Sequence, residues 1–374
     1  MKIIADAHIP YVKDYFGHVD QLILKPGRSI AHNVVDEADM LLVRSVTPVN
    51  AALLQDTPVR FVGSVTAGID HLDTAWLDQM GISWHAACGF NAPPVADYVV
   101  SVVAALQMHS LLKTSGLTAA VIGVGEVGSR VVRLLQQIGV EVRCCDPLRA
   151  NQSSDFVHHP LETIADVDLI CLHVPLSRDG VAPTYHFIND AFLKRQRPGC
   201  VLLNASRGAV IDNDALMQYG QHLQWCFDVW EREPYIDQRI LSKATLATPH
   251  IAGYSVQSKQ RGAKMIYDAA CAKQYISPAP TVPVIADQKK ILSGAFQAWQ
   301  EVVLAVFNPI PLTSIMQTIL PASLRYGEDF DNMRHHFHDR YEFDHVEVQS
   351  DTLSEEDCTQ LARLQFIISH SQTI

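Results

Sequence analysis

Arg207 in NASRG, Glu233 in FDVWEREP and His250 in TPHIAGY lie far apart in the sequence, yet each follows a short apolar run of the kind that forms a buried strand. Oxidising a 2-hydroxy acid requires a cation to hold the carboxylate and polarise the carbon–oxygen bond, and a base to accept the hydroxyl proton. Arginine suits the first task, because its planar fork matches a carboxylate bidentately and keeps its charge. Histidine suits the second, because it titrates near neutral pH. A carboxylate on the other imidazole nitrogen would fix the ring and stabilise its cation, which is a role Glu233 can fill. Taken singly, each residue has an ordinary explanation as a surface cation, a solvated acid or a turn histidine. Their shared placement at the carboxyl ends of strands, where ligands of open α/β sheets lie, is what joins them.

A second constellation supplies the other half of such a reaction. Ala119 to Asp146 reads AAVIGVGEVGSRVVRLLQQIGVEVRCCD, in which Gly123, Gly125 and Gly128 fit G-x-G-x-x-G. Val127, Val131, Leu134, Leu135 and Ile138 then fall on one face at helical spacing. Strand, tight turn and helix in this order suit a dinucleotide: Gly123 makes the turn, Gly125 leaves room for the pyrophosphate, and Gly128 permits close packing of helix on strand. Asp146 ends the next apolar run, where an acid hydrogen-bonds a ribose diol and repels a 2′-phosphate, so NAD is favoured over NADP. Arg149, close by, weakens that preference. NAD would carry the redox chemistry, and no metal is required.

The chain that must position these groups has 374 residues, enough for two or three domains with sizeable cores. Apolar residues make up 48% and charged residues 18%, which excludes a disordered protein. A net charge of −11 argues against broad attraction to nucleic acid or an anionic membrane, so an anionic substrate needs a local basic pocket. The eight cysteines include no C-x-x-C pair, and most lie in apolar runs, reading as buried thiols of a reducing compartment. No signal peptide is visible, and Val95 to Leu112, the most apolar helix candidate, carries Asp97, Gln107 and His109. The expectation is a cytoplasmic protein.

Apolar runs at Ile3–Ala5, Leu22–Leu24, Met40–Val43, Phe61–Val65 and Ile82–His85 alternate with turn or amphipathic segments, as in a small parallel α/β unit. Pro93 or Pro94 opens a long helix into the nucleotide domain. Runs at Val167–Val174, Cys200–Asn204, Trp225–Val229 and Thr245–Thr248 join the two flanking the glycine helix to make a six-stranded doubly wound sheet. Ser255–Ala272 is helical in pattern and returns to the first domain. A linker with Pro278, Pro280 and Pro283 follows. Beyond it, Ile291–Phe307 and Ser354–Ile368 read as helices and Tyr341–Val348 as a strand. The expected fold is therefore α/β: a Rossmann-type doubly wound parallel sheet at 95–254, a flavodoxin-like α/β substrate domain at 1–94 and 255–280, and a small C-terminal α+β module at 286–374. His335, His336 and His338 invite a metal, but their clustering suits a surface patch better, and no metal is expected.

The glycine loop, HVPL (His173 to Leu176), NASRG (Asn204 to Gly208), DVWEREP (Asp228 to Pro234) and TPHIAGY (Thr248 to Tyr254), in this order and spacing, resemble the D-2-hydroxyacid dehydrogenase family. The match runs from near the start to about residue 275. It implies that Arg207, Glu233 and His250 are the catalytic set, with His250 exchanging the proton. It also implies that Asp146 and Asp228 contact NAD, the latter near the nicotinamide, with Pro175 and Gly253 lining the site. Ser45, Thr66 and Tyr254 match substrate-holding positions, and a homodimer is implied, assisted by the C-terminal module. Phe227 stands where the family often has a smaller residue and Trp230 where Phe is common. LLVRSVTPVN, FVGSVTAGIDHLD and HIAGYS, with the appended module, resemble the branch whose substrate is a phosphorylated 2-hydroxy acid. Arg44 is a candidate for the phosphate, and a structural ion pair is its other reading. Two alternatives stay open: a dehydrogenase for another 2-hydroxy acid such as 3-phosphoglycerate, and an NAD-sensing regulator, against which the intact Arg207, Glu233 and His250 argue.

Overall fold

A computed structural model of the chain describes residues 1–281, 288–337 and 340–369; Pro283 of the linker and His338 of the histidine cluster lie outside the described residues. The chain divides into two units, Met1–Asn91 with Val256–Asp287, and Ala92–Ser255 with Gln288–Ile374. The crossings fall at Asn91 and Ser255, and the C-terminal segment groups with the nucleotide unit, where the sequence suggested a separate module from residue 286.

In the first unit the five apolar runs become parallel strands β1 (Lys2–Asp6), β2 (Gln21–Lys25), β3 (Met40–Val43), β4 (Phe61–Ser64) and β5 (Ser83–Ala86). Their order, β2-β1-β3-β4-β5, is the flavodoxin-like one. β3 and β4 are buried along their whole length, which is why they read as unbroken apolar runs: a parallel sheet is covered on both faces. The helix Val256–Ala272 supplies part of that cover, burying Ala263, Ile266, Tyr267 and Ala270 with Met40, Leu42 and Phe61. A Cβ on Gly63 would lie 2.4 Å from Ile266 Cγ2, so a side chain there would push this helix off the sheet.

The second unit carries the six-stranded parallel sheet β6 (Thr118–Ile122), β7 (Glu141–Cys145), β8 (Leu169–Leu172), β9 (Val201–Asn204), β10 (Gln224–Phe227) and β11 (Leu246–Ala247), in the order β11-β10-β9-β8-β6-β7. The chain winds outward from β6 to β7, then returns past β6 to β8. This reversal opens a crevice at the carboxyl ends of β6 and β8, the general ligand position of such sheets. On one side the helix Ala92–Met108, with Pro93 and Pro94 in its first turn, is buried along nearly its whole length and packs with the glycine-loop helix Glu126–Gln137.

The C-terminal strands β12 (Lys290–Ser293), β13 (Val346–Gln349) and β14 (Ile367–Ser369) form a parallel three-stranded sheet. Two helix expectations are corrected here. Residues 291–293, expected to open a helix, pair with β13 instead, and the helix starts only at Trp299. The helix from Glu355 stops at Arg363, and 367–369 is strand. Short apolar runs fit either period, and pairing across the sheet decided between them. Among the described residues no single helix is long and apolar enough to cross a membrane, although the bent pair Trp299–Val306 and Pro309–Ala322 passes by length and composition.

Candidate active site

Three loops, after β9, β10 and β11, carry Arg207, Glu233 and His250, and they are tied to one another by specific bonds. Asn204, the last residue of β9, folds the NASRG loop: its Oδ1 accepts from the Ser206 N–H at 3.0 Å and the Ser206 hydroxyl at 2.8 Å, and its Nδ2 donates to the Arg207 carbonyl at 2.9 Å. Gly208 then passes so close to the next loop that a Cβ would sit 1.9 Å from the Trp230 carbonyl carbon. Only glycine permits that approach, and it sets the Arg207 loop against the Glu233 loop. Trp230 in turn donates its indole N–H to the Thr248 carbonyl at 2.9 Å, joining the second loop to the third.

Asp228 completes the assembly. It is 1% exposed; Oδ1 accepts from the Thr248 hydroxyl at 2.6 Å and the Ile251 N–H at 2.8 Å, and Oδ2 from the Ala252 N–H at 2.9 Å. The Asp228 carbonyl takes the His250 N–H at 2.7 Å. His250 is thereby held at φ 58°, a left-handed conformation that a residue with a Cβ adopts at some cost and keeps only when its neighbours fix it. Burial pushes the Asp228 carboxyl up, against the opposing pull of His250 and of the three donors.

Within this frame the His250 Nδ1 lies 2.7 Å from Glu233 Oε2, with the two side chains 30% and 19% exposed. Glu233 Oε1 accepts from the Trp230 N–H at 2.9 Å, so both carboxylate oxygens are anchored. Burial would raise the Glu233 carboxyl, but His250, Arg334 and the Trp230 N–H outweigh it and hold the group below its ordinary value. An ionised Glu233 accepts the Nδ1 proton, which leaves Nε2 of the neutral ring with a lone pair, the state a general base needs. Arg207 donates through Nη1 to the Ser206 carbonyl at 2.8 Å.

The glycine loop has the shape its spacing suggested. Gly123 is at φ 85° and its Cβ would meet the His173 carbonyl oxygen at 2.5 Å, while a Cβ on Gly128 would lie 1.9 Å from the Gly123 carbonyl oxygen. Gly125, the N-cap of the helix, differs: its chain neighbours aside, no atom of the described residues lies within 4 Å of where its Cβ would be. The protein itself imposes no glycine there, so open space at a helix N-terminus fits an incoming pyrophosphate. Asp146 directly follows β7, its Oδ2 accepting from the Val124 N–H at 2.8 Å and its Oδ1 capping the next helix through the Arg149 N–H at 2.9 Å. A carboxylate has further lone pairs to offer a ribose diol. Arg149 is held by the Val124 carbonyl at 2.7 Å and by the Phe156 ring. Pro175 is exposed beyond β8, and its carbonyl accepts from the Thr184 hydroxyl at 2.5 Å. Gly253 and Tyr254 follow directly on the Asp228-bound turn.

In the first unit, Ser45 is exposed at the loop after β3, and Thr66, after β4, donates to the Gly68 carbonyl at 2.8 Å with its hydroxyl 2.7 Å from that of Ser64. Arg44 donates through Nε to the buried Asp6 carboxylate at 2.8 Å, with Nη2 at 3.4 Å from the other oxygen. That is the ion-pair reading of Arg44.

Sequence reasoning missed the C-terminal residues that reach this site. Arg340 is 3% exposed and donates to the carbonyls of Pro94 at 2.7 Å and Ala252 at 2.5 Å. Ser255 donates to Glu342 at 2.7 Å, and Asp97 accepts from the Phe343 N–H at 3.0 Å. Arg334 reaches toward Tyr254. These contacts span up to 246 positions, beyond any local pattern. The DNMRHHFHDR run drew attention only to its histidines. Of these, His336 Nδ1 lies 2.9 Å from the Asn332 carbonyl at the end of the helix Tyr326–His335.

Residues 101–252 match the family model described as "D-isomer specific 2-hydroxyacid dehydrogenase, NAD binding domain". An erythronate-4-phosphate dehydrogenase of Coxiella burnetii (strain RSA 493 / Nine Mile phase I) is 44% identical over 351 residues, covering 93% of this chain and 95% of the relative. The chain belongs to the erythronate-4-phosphate dehydrogenase family. Another member, from Cellvibrio japonicus, is 39% identical over 364 residues, with the same coverage of 93% and 95%. Members of this family are NAD-dependent 2-hydroxyacid dehydrogenases, and the Rossmann sheet of this chain is its NAD-binding domain. Among solved structures, the NAD⁺-bound 3-phosphoglycerate dehydrogenase of Entamoeba histolytica superposes with a TM-score of 0.63 at 18% identity, covering 76% of this chain and 98% of that one. D-lactate dehydrogenase of Aquifex aeolicus, complexed with NAD and lactic acid, gives 0.61 at 21% identity, covering 73% and 96%. At these identities the likeness shows the shared fold.

Proposed function

We propose that this member of the family oxidises 4-phospho-D-erythronate to 2-oxo-3-hydroxy-4-phosphobutanoate with NAD⁺, a step toward pyridoxal 5′-phosphate. The observation that carries the reading is the Glu233–His250 pair at 2.7 Å, on two loops joined by the Trp230 indole bond to the Thr248 carbonyl, the first of which packs on the Arg207 loop at Gly208. Bound NAD⁺ supplies the acceptor for the hydrogen and electron pair that leave carbon 2. The chain's own residues do the rest. Arg207 grips the substrate carboxylate and polarises the carbon–oxygen bond. His250 Nε2 takes the hydroxyl proton as the carbonyl forms, and Glu233 steadies the resulting imidazolium through Nδ1. Gly123, Gly125 and Gly128 with the helix N-terminus would hold the pyrophosphate, Asp146 the ribose diol, and Pro175 and Gly253 the walls of the cofactor site. Asp228 serves the nicotinamide end chiefly by shaping the His250 turn. Ser45, Thr66 and Tyr254 would contact substrate.

The protein is further read as a cytoplasmic homodimer. Ile315 and Ile319, one turn apart on the helix Pro309–Ala322, are 42% and 45% exposed, and Leu324 just beyond is fully exposed, an apolar face suited to a second copy. The deciding experiment is initial-rate formation of NADH with 4-phosphoerythronate, 3-phosphoglycerate and unphosphorylated D-hydroxy acids. A kcat/KM for 4-phosphoerythronate at least tenfold above every other acid is expected. A preference for 3-phosphoglycerate, or no NADH from any acid, would overturn the reading.

A further inference from the structure

The substrate proposed above carries a phosphate, and a protein of net charge −11 must meet it with a local cation. Arg44 is already committed to the buried Asp6. Arg334, on the helix Tyr326–His335, is in a different position. Its side chain is only 12% exposed, and its Nε is buried with no hydrogen-bond partner among the described residues. Its remaining contacts are long: Nη2 to the Tyr254 hydroxyl at 3.5 Å, and Nη1 to Asp331 at 3.7 Å. A guanidinium has five donors, and burying it with so few of them used costs free energy that a native protein seldom accepts without a purpose. Tyr254 follows four residues after His250, and Glu233 is close enough to act on Arg334 electrostatically. The under-used cation therefore sits beside the acid–base pair. Burial opposes its charge, but Tyr254, Glu233 and Asp331 outweigh that and keep the guanidinium protonated.

We infer that Arg334, presented by the C-terminal segment next to Tyr254, takes the phosphate of the substrate and so makes the site selective for phosphorylated 2-hydroxy acids. This rests on the dehydrogenase reading for its substrate and on Arg334's own geometry for its anion. A phosphate oxygen pair matches the Nε–Nη edge of arginine bidentately, and its arrival would complete the donors that the protein leaves unused. It also assigns a use to a segment that the NAD-binding domain match, residues 101–252, does not include.

The test compares wild type, Arg334→Met and Arg334→Lys, each saturated with NAD⁺. Inorganic phosphate binding is measured by calorimetry, and steady-state constants are measured with 4-phosphoerythronate. For Arg334→Met the expected result is phosphate affinity weakened at least tenfold and KM raised at least tenfold, with kcat changed much less; the lysine variant recovers part of both. Phosphate affinity and KM unchanged within threefold, or kcat lost at constant KM, would overturn the inference and make Arg334 a positioning residue for Glu233. Should wild type form no NADH from 4-phosphoerythronate while its phosphate binding still depends on Arg334, the proposed reaction fails and the anion site stands. Thermal melting within a few degrees of wild type for the lysine variant separates these outcomes from misfolding.

Discussion

Replacing Asp228 by Asn keeps the size of the side chain and removes one acceptor. The carboxylate now takes the Thr248 hydroxyl at 2.6 Å and the N–H groups of Ile251 and Ala252 at 2.8 and 2.9 Å, with the side chain 1% exposed. In its best orientation the amide keeps its oxygen toward Thr248 and Ile251 and turns its NH₂ against the Ala252 N–H, donor to donor. A charge-assisted hydrogen bond contributes about 1.5–3 kcal/mol, and leaving a buried N–H unpaired costs about 1–3 kcal/mol more. Together these come to roughly 2.5–6 kcal/mol, a large share of a typical domain's stability. At about 2–4 °C per kcal/mol for a unit of this size, the melting temperature should fall by roughly 5–24 °C. The same change frees the turn that holds His250 at its left-handed φ, so kcat should fall as well. Differential scanning calorimetry with NADH titration reads both effects. A melting temperature within about 2 °C of wild type together with a large loss of NADH affinity would refute the clamp and return Asp228 to a simple cofactor contact.

Two further outcomes follow from the geometry. Gly125→Ala should weaken NADH binding by tenfold or more at nearly unchanged stability, because its Cβ meets no atom of the described residues beyond its chain neighbours, whereas Gly128→Ala should lower the melting temperature even without nucleotide, because its Cβ would strike the Gly123 carbonyl oxygen at 1.9 Å; paired titrations and melts check this. Glu233 is held below its ordinary value of 4.5, so the carboxylate's contribution to stability is complete above about pH 4.5 and is lost as the pH falls through the lower folded value. The stability gap between wild type and Glu233→Gln, followed by urea melts, should narrow only below about pH 4.5; a gap that closes nearer neutrality would contradict the depressed carboxyl.

Much of this architecture could be read from residue order because its strongest signals are local. β3, β4 and β8 are continuous apolar runs because a parallel sheet is buried on both faces, and the glycine loop announces itself because Gly123 and Gly128 each meet a backbone carbonyl. Arg207, Glu233 and His250 were legible for a related reason: each stands on a loop directly after a strand. What escaped was long-range or ambiguous in period. Residues 290–293 fit helix and strand alike until β13 paired with them. The salt bridge of Arg44 with Asp6, which lies 38 positions away, could not be read from the sequence. Arg334 and Arg340 reach the His250 turn from a segment whose sequence shows only charge and histidines.

The central claim is that His250 does the proton transfer on a cofactor held by other residues, and His250→Ala addresses it directly. With 4-phosphoerythronate and NAD⁺, kcat should fall by about 10²–10⁴-fold, the usual contribution of a general base, while the NADH dissociation constant stays within a few-fold of wild type. Turnover at the wild-type rate would contradict the account.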